Sequence, residues 1–96
     1  MMQILTKIID YIKKYNEIQQ IIVFGDIVSE TSNIKSYDIA VKIEDVPNKY
    51  DILGDILSYM SELTADCQCT LIELSDNLSK YYKDRISTGV VCYEQK

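Results

Sequence analysis

The apolar and polar positions divide the chain into alternating helical and extended stretches. Ile4, Leu5, Ile8, Ile9, Tyr11, Ile12 and Tyr15 recur at helical spacing, with Lys7, Lys13 and Lys14 on the other side, so the pattern predicts an amphipathic helix from Gln3 to Tyr15. Gln19 to Phe24 holds the β-branched run Ile21-Ile22-Val23, stopped by Gly25, and reads as a buried strand. Asp26 to Lys35 is polar and turn-rich, with a short helical piece expected at Asp26 to Glu30. Ser36 to Ile43 alternates as a second strand, and Glu44 to Asn48, with Pro47, reads as a loop. Ile52, Leu53, Ile56, Leu57, Met60 and Leu63 give a second long helix over Lys49 to Leu63. Gly54 sits inside it at a cost of about 1 kcal/mol relative to Ala. A third strand is predicted at Cys67 to Leu74, a last helix at Asn77 to Ile86, and an extended end after Gly89 through Val90-Val91-Cys92-Tyr93.

This order predicts one α/β (α+β) domain over residues 1–96, a small mixed sheet with helices packed on one face and the other face open. With 96 residues, 47% of them hydrophobic and 26% charged, the chain fits one globular domain and not two. A domain of this size buries a modest share of its surface, so a protein partner or a homo-oligomer would help stabilise it.

Charge narrows the function. The formal net charge is -5 and the only arginine is Arg85. Phosphate contacts need clustered Lys and Arg, so this composition excludes a typical nucleic-acid binder and favours a basic or partly basic protein partner. No apolar run approaches the ~20 residues of a membrane span. Met1 and Met2 lead directly into a charged periodic pattern, which does not read as a secretory signal. Three cysteines and no histidine do not make a complete disulfide framework and fit a reducing compartment. The expected location is cytoplasmic. Cys67 and Cys69 share one face of the third strand with Leu71 and read as small buried hydrophobes. With only Cys92 left, no thiolate metal set completes around them. The opposite face of that strand carries Gln68, Thr70 and Ile72.

The segment FGDIVSETSNIKSYDIAV, residues 24–41, resembles the signature of the DNA polymerase β-like nucleotidyltransferases, and most of all the minimal nucleotidyltransferases. The ending DRISTGVVCYEQK is similar to that family's ending. The resemblance implies the nucleotidyltransferase fold. It also implies a Gly-Ser turn that brings backbone N–H groups to a triphosphate. Two aspartates one residue apart on a strand, joined by a third acid from a later strand, would then hold two Mg²⁺ ions. Residues two apart on a strand share a face, which is why an Asp-x-Asp pair presents both carboxylates together.

Carried onto this chain, the second aspartate is Asp38, the first becomes Ser36 and the third carboxylate falls on Thr70. Glu73 lies three positions beyond Thr70, on the opposite side of the strand and about 10 Å further along. Gly25 is kept, the Ser of the turn is Asp26, and its second Gly falls on Glu30. An anion at Asp26 beside a phosphate is unfavourable by up to ~4 kcal/mol at 4 Å and an effective dielectric of 20. The spacing from Gly25 to Asp38 is one residue shorter than the family pattern. Asp26 could also turn toward Asp38 as a second metal ligand. Ser29, Thr31, Ser32 and Asn33 read as solvated turn residues, with nucleotide contact as the other reading.

The resemblance implies two readings that differ in chemistry. Minimal nucleotidyltransferases often act as antitoxins paired with a HEPN-type ribonuclease toxin, which some of them nucleotidylate. In the first reading this chain is a pseudoenzyme that binds such a toxin, or another copy of itself, and needs no cofactor. In the second it is an enzyme using ATP and Mg²⁺ to move a nucleoside monophosphate to a protein hydroxyl. Asp38 is then catalytic, Asp38 and Asp26 bind metal, and Gly25, Asp26 and Ser36 lie at the nucleotide. Among the eight tyrosines, Tyr37, Tyr59, Tyr81 and Tyr82 are the candidates for partial exposure, and the Tyr81-Tyr82 pair for an interface.

Overall fold

The computed structural model describes residues 2–25, 36–64 and 67–95. Helix α1 spans Met2–Lys13, strand β1 Ile18–Phe24, β2 Ser36–Ile43, α2 Lys49–Leu63, β3 Gln68–Glu73, α3 Lys80–Ser87 and β4 Val90–Glu94. The expected helical piece at 26–30 and the polar cluster at 29–33 lie outside the described residues.

The four strands form one sheet in the order β3-β2-β1-β4. β1 is antiparallel to both β2 and β4, and β2 runs parallel to β3, joined through α2. Alternation along the strands gives each face its own residues. Ile21 and Val23 of β1 and Tyr37, Ile39, Val41 and Ile43 of β2 form one face, packed under Leu5, Ile8 and Ile12 of α1 and Ile52, Ile56 and Met60 of α2. Cys67, Cys69 and Leu71 pack at the margin of the same core, so the face assigned to them from the sequence is the one they occupy. Tyr37 is buried, not partly exposed: its strand position turns it inward with Ile39 and Val41.

Helix α3 begins three residues later than the periodicity predicts. Ser79 adopts an extended conformation and its hydroxyl accepts a hydrogen bond from the backbone N–H of Tyr82 at 3.4 Å, which fixes the cap. The second face of the sheet is not bare. Phe24, Asp38 and Ala40 belong to it and are all buried. Arg85 of α3 reaches over this face, with its guanidinium carbon 5.5 Å from the centre of the Phe24 ring.

Candidate active site

The site forms where β1 ends. Phe24 pairs with Asp38 across the β1–β2 ladder, so Gly25 begins the next segment directly beside the Asp38 carboxylate. Gly25 has φ +81, a left-handed conformation that side chains disfavour. A Cβ added there would stand 2.2 Å from Asp38 Oδ2 and 2.9 Å from Arg85 Nη2. The glycine is therefore what lets the carboxylate and the guanidinium close against the chain.

Asp38 is 3% exposed. Its two oxygens have separate partners. The Ser36 hydroxyl donates to Oδ1 at 2.6 Å, and Arg85 Nη2 donates to Oδ2 at 3.3 Å as an ion pair. Ser36 and Asp38 can meet because they are two apart on one strand face. Arg85 also donates from Nη1 to the Tyr81 hydroxyl at 3.2 Å, one helical turn back. Its guanidinium carbon lies 5.5 Å from the Tyr81 ring centre as well. The cation is thus held by a carboxylate, a phenol and two aromatic faces.

On the other side of β2, Thr70 of β3 stands in register with Asp38, at the place where the sequence alignment put the third carboxylate. It contributes a hydroxyl, not a charge. Glu73 projects to the opposite face and accepts from Lys49 Nζ at 2.9 Å.

Of the residues singled out in the sequence, Gly25, Ser36, Asp38 and Thr70 come together. Asp26 lies outside the described residues. Arg85 was missed. Its signal was present, since a buried aspartate needs a cation and the chain has one guanidinium, but 47 positions separate the two.

Two divalent ions need several convergent oxygen ligands. Among the described residues no group of three or more His, Cys, Asp or Glu could hold a metal. Asp38 brings one carboxylate whose oxygens are both hydrogen-bonded, with a fixed positive charge 3.3 Å away. The described residues do not fit a two-metal centre.

A model of the family "Polymerase beta, Nucleotidyltransferase" matches residues 6–96. The chain belongs to that family. Among solved structures, a chain in the crystal structure of a mutant of the toxin–antitoxin MntA-HpeT is similar to it. The TM-score is 0.70 at 17% identity, over 95% of this chain and 73% of that one. The likeness shows a shared nucleotidyltransferase fold. No curated protein matches the chain significantly. Among the described residues no helix is long and apolar enough to cross a membrane.

Proposed function

We propose that this member of the nucleotidyltransferase family acts by binding a protein, as an antitoxin-like partner of a toxin, and does not transfer nucleotides. The observation that carries this reading is the state of Asp38, which is buried and engaged on one oxygen by Ser36 and on the other by Arg85. A guanidinium stands where the family's chemistry calls for divalent cations, and Ser36 and Thr70 take the places of the other two carboxylates. The toxin–antitoxin origin of the similar solved structure supports the class of partner, and a HEPN-type toxin is the specific form of the proposal.

The competing reading is an ATP- and Mg²⁺-dependent transferase. It draws support from Gly25, which keeps a left-handed turn beside the surviving aspartate, and it would require Asp26 as a second ligand. Calorimetric titration of the protein with ATP, with and without Mg²⁺, separates the two. The expected result is no Mg²⁺-dependent heat at millimolar ATP. Mg²⁺-dependent binding that disappears in Asp38→Asn would overturn the protein-binding reading and show a working nucleotide site, and turnover would then separate a transferase from a protein that only senses the nucleotide.

A further inference from the structure

Lys42 stands near the end of β2, on the second face of the sheet, in line with Asp38 and Ala40. On the β3 side the register ends at Val41 and Glu73. The Leu74 N–H then donates to the Val41 carbonyl at 2.8 Å, which sets Leu74 next to Lys42. From there the chain leaves the sheet and returns as α3. Lys83, Ile86 and Ser87 of α3 lie at i, i+3 and i+4 and share one side of that helix. This side, Lys42 and the segment between β3 and α3 border a hollow of about 330 Å³. That is the small end of the range of roughly 300–1,000 Å³ over which proteins hold small ligands. The hollow is separate from the site described above. Four residues of strand put Lys42 about 13 Å from Asp38, with buried Ala40 between them.

The lining joins apolar side chains to uncommitted donors. Leu74, Leu78 and Ile86 are each half-buried and supply the apolar part. Among the described residues Lys42 has no hydrogen bond or ion pair, so its ammonium donors are all available. Lys83 commits one donor to the Asp76 carbonyl at 3.1 Å and keeps the others. The Ser75 hydroxyl accepts from the Asn77 N–H at 3.3 Å and keeps its own proton to donate. Asp76 is the one acidic residue of the lining, against two lysines, which leaves a surplus of one positive charge. Donors in excess beside apolar side chains suit an anion with an apolar body. A surplus of one charge suits one negative charge better than two.

We propose that this hollow binds a small monocarboxylate with an apolar body, held by Lys42 and Lys83 against Leu74, Leu78 and Ile86. The proposal goes beyond the protein-binding reading and does not depend on it. The probe is 4-phenylbutyrate, titrated into the full chain while backbone amide signals are followed by NMR. The uncharged 4-phenylbutanol, phenyl phosphate and an N-acetylated peptide ending in leucine are titrated alongside.

Saturable binding with a Kd of about 1 mM is expected for a ligand this small, with shifts at residues 42, 74–78 and 83–87. Lys42→Gln and Lys83→Gln should each weaken it about tenfold, as loss of a charge-assisted hydrogen bond does. Both lysines are exposed, and thermal melting checks that each variant folds. Ile86→Ala should weaken binding about threefold through lost apolar contact. The alcohol, the phosphate and the peptide should all bind more weakly than the probe. The proposal is overturned if no signal moves by about 10 mM probe, if the shifts map to the Asp38 end or to α2, or if both lysine variants bind as the parent does. Equal binding of the alcohol overturns it, since charge then plays no part. Tighter binding of phenyl phosphate overturns it in favour of a dianion site. Tighter binding of the peptide does so as well, because the carboxylate is then the end of a partner chain.

Discussion

Gly25 offers the sharpest test of how the site is built. Replacing it with alanine places an L-residue at φ +81, which costs about 1–2 kcal/mol by itself. The new Cβ would also lie 2.2 Å from Asp38 Oδ2, more than an ångström inside the 3.4 Å at which ordinary contact begins. An exposed carboxylate would swing away at little cost. Asp38 is buried and pinned by Ser36 and Arg85, so moving it loses a hydrogen bond to a charged group, about 1.5–3 kcal/mol. Together these give a destabilisation of about 2.5–5 kcal/mol, which lowers the melting temperature of a domain this size by ~10 °C or more. Gly54→Ala is the opposite case. It lies in a helix with open space around the added methyl and should stabilise by about 0.5–1 kcal/mol. Urea denaturation of both variants, and of Gly25→Ala in an Asp38→Ala background, provides the assay. Removing the carboxylate should reduce the cost at Gly25 to the backbone part, about 1–2 kcal/mol. A Gly25→Ala protein within about 0.5 kcal/mol of the parent, or one whose cost is unchanged in the Asp38→Ala background, would refute the reasoning.

Three further outcomes are expected. Arg85→Gln should destabilise by about 2 kcal/mol, less than the loss of a fully buried ion-pair partner because the arginine is partly exposed. A double-mutant cycle with Asp38→Asn should show coupling of about 1 kcal/mol or more, and strict additivity would refute the pairing. At the α1–α2 contact, hydrogen bonds from Tyr11 and then Tyr15 hold the Asp55 carboxyl below its ordinary 3.8. Its contribution is therefore present above that value and lost as pH falls through the lowered one. The Tyr15 hydroxyl is pushed well above its ordinary 10.0, chiefly by its hydrogen bond to Asp55 and then by burial. Its contribution is present below pH 10.0 and lost as pH rises through the raised value. Urea midpoints across pH should thus fall at both ends more steeply in the parent than in Asp55→Asn, and parallel curves would exclude this contact as the cause. Ile56→Ala, at a fully buried position under the sheet, should cost about 2–5 kcal/mol in the same assay.

Local pattern determined much of this protein. The periodicities of Ile8 and Ile12, and of Ile52, Ile56 and Met60, located α1 and α2 because a helix must bury one stripe. The alternation Tyr37, Ile39, Val41 located β2 and placed Asp38 on the opposite face, since side chains on a strand alternate. The resemblance to the family put the third acid's place at Thr70, which the parallel register sets beside Asp38, and the alternation in β3 turned Glu73 to the other face. The segment from Phe24 to Val41 pointed to the family that matches the chain. What depended on distance along the chain was not legible. Tyr37 reads as amphipathic, but its burial was decided by the helices stacked over it. The second face of the sheet read as open because nothing in the sequence of α3 says where that helix lies. Only the fold carries Arg85 back to Phe24 and Asp38, turning a lone carboxylate into half of an ion pair. Periodicity and strand parity are properties of neighbouring residues, whereas the pairing of a buried charge is settled by which distant side chain the folded backbone delivers to it.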